Sequence, residues 1–260
     1  MSILNKIHIH ETTYLFLLVS LFTGQFRLLM LLFVVILIHE FGHILASKYF
    51  GWNIVKVNIF PFGGNIVYDV KLNESSFNEF MVTVMGPVFQ ILGTFVLTRI
   101  SFLTHNEILT LNNLSYSLVI FNLLPIIPLD GSKLFFSLTN SLMSYKKSHK
   151  LLIFISTLFI FIFLFKQMNN FTIQIIIFFL IYKTYEQYKN HNNILNKFLL
   201  ERYLYDLKQS RVKIHNKLDV KCIYKNKINF FKYNNKCYSE KNVLDNYFIT
   251  SLHQTLALFK

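Results

Sequence analysis

The chain has 260 residues, 53% of them apolar and 15% charged, against roughly 25% charged in ordinary soluble domains. That balance points to a membrane protein and away from a soluble enzyme. The net charge of +13 is uneven: residues 1–182 carry 11 Lys/Arg and 7 Asp/Glu, residues 183–260 carry 15 and 6. No nucleic-acid recognition motif accompanies this basic excess, so no nucleic-acid partner is expected and anionic lipid is the nearest counterpart for the basic tail.

In chain order, Lys6 precedes an apolar run from Tyr14 to Phe22 that resembles a signal peptide. No A-x-A-like cleavage site follows, so the run is read as a retained first span. Charge-poor, largely apolar stretches, each with flanks approaching the ~20 residues a spanning helix needs, predict six spans at about 11–25, 27–46, 78–99, 108–127, 150–166 and 170–186. Between the second and third spans, residues 51–70 alternate β-prone side chains around Pro61-Phe62-Gly63-Gly64. This pattern predicts a hairpin or re-entrant loop at the interface, anchored by Trp52 and Tyr68.

With the N-terminus inside, Lys6, Lys48, Lys56, Lys71, Lys133, Lys146, Lys147, Lys150, Lys183 and Lys189 fall on the cytoplasmic face. Arg27, Arg99 and Lys166 remain outside, an asymmetry that favours six spans and a cytoplasmic tail. From about 187 the pattern becomes that of a small soluble appendage. A helix through Phe198–Tyr203 is followed by β-prone runs at Val220–Tyr224 and Ile228–Tyr233, then by a helix carrying Val243, Leu244, Tyr247 and Phe248 on one face. Cys222 and Cys237 lack metal-ligand spacing and are read as ordinary thiols.

The chemistry is carried by His39-Glu40-Phe41-Gly42-His43, an HExxH segment. On a helix, four residues advance by about 400°, so both imidazoles lie on one face, about 40° apart and one turn along. Glu40 projects beside them, close enough to work on a water at the metal. Across the charge-poor span interiors these three are the ionisable residues found away from the ends, and such groups are costly in a membrane and functional by default. A catalytic zinc site needs a third protein ligand. Pro125 and Pro128 break the fourth span near its cytoplasmic end, and Asp130-Gly131 follows on the same membrane side as His43. Asp130 is accordingly a candidate ligand, its other role being a turn aspartate that caps the next helix. Asn122, in the last turn before the break, would bond substrate backbone, orient Asp130, or satisfy a carbonyl freed by Pro125.

HEFGH, Met85-Gly86-Pro87 and Asn122-Leu123-Leu124-Pro125-Ile126-Ile127-Pro128-Leu129-Asp130-Gly131, in that order, resemble the site-2 protease family of intramembrane zinc metalloproteases. More narrowly, Lys6-Ile7-His8-Ile9-His10, Pro61-Phe62-Gly63-Gly64 and Phe198-Leu199-Leu200-Glu201-Arg202-Tyr203 resemble the stage IV sporulation proteases of endospore-forming bacteria. The resemblance implies one Zn2+ per chain held by His39, His43 and Asp130, with Glu40 catalytic. Asn122, Pro125, Pro128, Gly63 and Gly64 would support the site or bind substrate. It implies as substrate a membrane-associated pro-sigma factor, restraint by membrane regulatory proteins, and residence in the mother-cell membrane around the forespore. It also implies a cystathionine-β-synthase-like fold in the tail, in reduced form, since only 59 residues follow Glu201 and no glycine follows Gly131.

The expected fold is an all-α polytopic membrane protein of about six transmembrane helices, with a small interfacial β-hairpin and a short α/β cytoplasmic appendage. Residues 1–186 would form the metalloprotease domain and 187–260 the basic cytoplasmic tail. A membrane metal transporter or an inert membrane adaptor are the alternatives. The first would need a second ionisable cluster to make a path across the membrane, and the second would have no need of Glu40 between the histidines.

Overall fold

A computed structural model describes residues 7–9, 11–60, 63–69, 72–99, 103–166, 171–205 and 211–257. Lys6, His10, Pro61, Phe62 and Lys71, invoked above, lie outside the described residues. The chain is mostly helical and divides into two compact units. The first takes in residues 1–70, 78–124 and 129–131, the second residues 71–77, 125–128 and 132–260.

In the first unit, strand β1 (Ile7–Ile9) leads into α1 (Glu11–Phe22) and α2 (Phe26–Tyr49), then β2 (Asn53–Phe60) and β3 (Gly63–Asp69). Helices α3 (Ser76–Leu97) and α4 (His105–Asn122) follow. At 1.5 Å per residue the 24 residues of α2 extend about 36 Å, more than the roughly 30 Å hydrocarbon core of a bilayer. The helix continues through the HEFGH segment despite Gly42, which costs about 1 kcal/mol relative to Ala but is needed there because a Cβ would collide with the Met85 carbonyl and Phe89. Helix α4 starts where Thr104 and Glu107 form a reciprocal capping box. It stops at Asn122 because Pro125 disfavours helical backbone at Leu124.

The expected hairpin is present, but it belongs to a three-stranded sheet ordered β1-β2-β3. β2 and β3 are antiparallel, with Asn58 opposite Asn65 and Phe60 opposite Gly63, while β1 pairs with β2 in parallel, Ile7 opposite Val57. Buried Ile54 and Val57 pack with Phe33, Ile44, Ile66 and Tyr68. Trp52 and Tyr68 meet edge to face at 5.3 Å.

α5 (Asp130–Leu142) starts in the first unit with Asp130 and Gly131 and continues in the second, where α6 (Tyr145–Lys166), α7 (Phe171–Lys189) and α8 (His191–Leu204) follow. β4 (Val212–His215), a 3-10 turn (Val220–Cys222), β5 (Ile228–Tyr233), β6 (Lys236–Ser239) and α9 (Glu240–Ala257) complete the chain. The β-prone run expected as a strand at Val220–Tyr224 forms the 3-10 turn instead. Its cause is local: the Asp219 side chain accepts from Lys221 N–H at 2.8 Å and tightens the backbone. β5 and β6 are joined through Asn234 and Asn235 at φ 46° and 61°, the left-handed pair a two-residue hairpin requires. The core here is Tyr145, Leu195, Phe198, Leu199, Val220, Ile223, Phe231, Val243 and Leu244. The Tyr145 ring stacks on Phe198 at 3.8 Å.

Among the described residues, three helices are long and apolar enough to cross a membrane: α2, α3 and α6. Their outward faces are apolar, with Leu92, Phe95 and Val96 on α3 and Phe154, Phe161 and Phe165 on α6 all more than half exposed. Water would make such contiguous surface a liability, whereas lipid chains cover it without cost.

Candidate metal centre

Helix α2 presents His39 and His43 one turn apart on a buried face, their residues 3% and 6% exposed. Asp130, at the first position of α5 and 6% exposed, reaches both: its Oδ2 lies 2.9 Å from His39 Nε2 and 3.0 Å from His43 Nε2. The two Nε2 atoms are themselves 3.0 Å apart. Among the described residues this is the one group of three or more His, Cys, Asp or Glu side chains spaced to hold a metal ion.

The far side of each ring explains why these atoms fit a cation. His39 Nδ1 lies 2.8 Å from Gln90 Oε1, and His43 Nδ1 lies 2.9 Å from the Val82 carbonyl oxygen. Both partners are acceptors, so each neutral ring keeps its proton on Nδ1 and offers a lone pair at Nε2. Two such lone pairs and a carboxylate oxygen converging in a buried pocket repel one another unless a cation lies between them. A nitrogen, nitrogen, oxygen donor set of this kind is what zinc takes with one position open.

The orientation is enforced from α4 through α3. Gln90, fully buried, donates its Nε2 to the Ser115 carbonyl at 2.9 Å and to Ser115 Oγ at 3.3 Å. Thr94 Oγ1 donates to Ser115 Oγ at 2.9 Å. These bonds aim the Gln90 oxygen at His39, the orienting role that partners of metal-ligating histidines ordinarily play. Gly86 is required beside them, because a Cβ there would collide with the His43 imidazole.

Glu40 is half-buried, and its Oε1 accepts from the Gly64 N–H at 3.1 Å. A side chain at Gly64 would strike that carboxylate. The Tyr68 phenol stands nearby, hydrogen-bonded to Ser47. Burial pushes its pKa well above the ordinary value against the effect of Ser47, and the charges of Glu40 and Asp130 add to the rise, so it stays protonated.

The structure thus brings together His39, His43, Asp130, Glu40 and Gly64. Gly63 opens β3 opposite Phe60. Asn122 ends α4, and its side chain makes no hydrogen bond among the described residues. Pro125 and Pro128 lie in the second unit, where the Pro125 carbonyl accepts from Ser156 Oγ at 3.2 Å and Ile127 N–H donates to the same hydroxyl at 3.2 Å. Gln90, Ser115 and the Val82 carbonyl were not anticipated. Thr83, Gln90 and Thr94 recur at intervals of seven and four in an otherwise apolar run, a polar stripe on one helix face that marks this role in retrospect.

Comparison with known proteins agrees with this geometry. Residues 27–108 and 104–165 match the sequence model of peptidase family M50. Stage IV sporulation protein FB of Bacillus subtilis (strain 168) is 32% identical over 212 residues, covering 78% of this chain and 73% of that protein. A zinc metalloprotease of Methanocaldococcus jannaschii is 32% identical over 130 residues, or 48% of this chain and 38% of the relative. The solved site-2 protease from Methanocaldococcus jannaschii aligns over 70% of this chain and 89% of its own with a TM-score of 0.54 and 26% identity. From the extent of these matches, the chain belongs to peptidase family M50 and is an intramembrane zinc metalloprotease.

Proposed function

We propose that His39, His43 and Asp130 are the zinc ligands, one ion per chain, and that Glu40 is the catalytic base for cleavage of a membrane-associated pro-sigma factor. The observation that carries this reading is the convergence of His39 Nε2, His43 Nε2 and Asp130 Oδ2 to within 3.0 Å of one another, with Glu40 on the next residue of the same helix. Zinc bound there supplies Lewis acidity, lowering the pKa of water and polarising the scissile carbonyl. Gly64 N–H holds Glu40 Oε1, which leaves Oε2 to take the proton of the attacking water and return it to the leaving amine. Gln90 and the Val82 carbonyl keep both imidazoles in the ligating tautomer throughout.

A helical substrate hides its amides and must be extended before attack. Among the described residues β3 pairs with β2 on one side only, and its second residue, Gly64, donates its N–H to Glu40. Addition of the substrate as a further strand on β3 would deliver an extended backbone beside the base. Trp52 and Tyr68 would hold this sheet at the interface.

The finer membrane arrangement belongs to the same proposal. α1, α4 and α7 would join α2, α3 and α6 as six spans, with both termini cytoplasmic and residues 1–186 as the protease domain. Residues 187–260 would be a reduced CBS-like appendage whose lysines meet anionic lipid. Regulation by membrane proteins and residence in the mother-cell membrane around the forespore are part of the same proposal, supported by the similarity to a sporulation protein. The test is reconstitution of the full chain with a candidate pro-sigma factor: chelator should stop cleavage and zinc restore it. Cleavage persisting after zinc removal would refute the reading.

A further inference from the structure

Outside the metal centre, the second unit holds a cavity of about 320 Å³ lined by Lys146, Lys150, Tyr188, Lys189, His191 and Asn192. No carboxylate is among these, and none of the three ammonium groups forms an ion pair with a described residue. The 3-10 turn adds Lys221 and its N-cap Asp219 near Lys146, one charge of each sign.

The tautomers of two histidines add a further donor. Gln187 Nε2 donates to His149 Nε2 at 3.0 Å, so neutral His149 carries its proton on Nδ1. That proton is donated to His191 Nδ1, 2.6 Å away, so His191 carries its own proton on Nε2. This Nε2 is buried and has no hydrogen-bond partner among the described residues. Burial first, and the charges of Lys146 and Lys150 next, hold the His191 pKa below its ordinary value, which keeps the ring neutral. An unpaired buried N–H costs stability until an acceptor arrives; the rest of the lining is three ammonium groups, the Tyr188 phenol and the Asn192 amide, and none of them bonds this N–H.

The position of the lining residues narrows the acceptor. Lys146 and Lys150 are four apart at the start of α6, immediately before its apolar run from Leu151. Tyr188 and Lys189 end α7, another apolar helix. Lysine and tyrosine at the ends of apolar helices sit at headgroup level. The volume, at the small end for ligand sites, suits one headgroup better than a large soluble ligand.

We propose that this cavity is a binding site for a terminal phosphate group, as in phosphatidic acid or inorganic phosphate and unlike the bridged diester of phosphatidylcholine, held by Lys146, Lys150 and Lys189 with His191 Nε2–H as a neutral donor. The proposal stands apart from the proteolytic reading, because it concerns binding and not cleavage.

The test titrates the purified full chain in detergent with short-chain phosphatidic acid, with inorganic phosphate and with short-chain phosphatidylcholine, reading binding by calorimetry. Saturable binding of phosphatidic acid alone identifies a lipid phosphate, and binding of inorganic phosphate as well identifies a site that takes the free group. Lys146→Gln/Lys150→Gln/Lys189→Gln should weaken the bound probe roughly a hundredfold, while Lys232→Gln on β5 should leave it unchanged. If the triple variant loses its thermal transition, Lys150→Gln alone decides, with about a fivefold loss expected. The proposal is overturned if neither phosphate probe saturates, if phosphatidylcholine binds equally, if the lysine variants bind as the parent does, or if Lys232→Gln costs as much.

Discussion

At the scale of single residues, the division of labour at the metal centre separates binding from chemistry. Glu40→Gln is nearly isosteric and cannot take a proton, so it should retain zinc and membrane insertion yet abolish cleavage. Product formed at the parental rate would remove Glu40 from the mechanism. Asp130→Ala deletes the proposed oxygen ligand and should lower zinc occupancy measured by metal analysis. Full occupancy would return Asp130 to its capping role at the start of α5. The ligand candidates were legible because HExxH has a fixed helical geometry and Asp130 follows a proline break. The acceptors behind the rings were not: a backbone carbonyl such as that of Val82 leaves no trace in sequence, and Gln90 is one amide in a long apolar helix.

At the scale of elements, α3 holds the candidate ligands of α2 in register through Gln90 and the Val82 carbonyl. Gln90→Leu keeps volume but removes the acceptor for His39 Nδ1, and should weaken zinc affinity 10–100-fold without dissolving the helix. An unchanged affinity in a competitive chelator titration would show that Gln90 merely packs. In the second unit, the Arg202 guanidinium is almost fully buried. It bonds both oxygens of Glu240, the carbonyls of Lys225 and Lys227, and Asn73 Oδ1. Arg202→Ala strands the Glu240 charge, so a loss of about 3–5 kcal/mol is expected, visible as a lower thermal midpoint with zinc content preserved. Helices were the readable elements, since their apolar runs are long. β1 was not, because three residues pair with a strand some fifty positions away and parallel pairing has no turn to announce it. The β5–β6 turn was missed because Asn-Asn stands where Asn-Gly is the usual signal.

At the scale of the molecule, the six-span arrangement makes a labelling prediction. In a background lacking Cys222 and Cys237, His105→Cys and Lys147→Cys should react with impermeant thiol reagents from opposite faces, the first outside and the second inside. Labelling from one face would break that topology. The count of spans was hard to read, because α1 has only 12 residues, or about 18 Å, and would serve as a span only together with its flanking residues. The metal centre also has a history within synthesis. His39 and Asp130 are 91 positions apart, so a nascent chain displays two imidazoles long before the carboxylate that completes the set. Under the proposed roles, Glu40 would have no complete metal site beside it until the start of α5 has emerged. On the proposed ligand set, cleavage of neighbouring membrane proteins would therefore begin only after the chain has been made past Asp130.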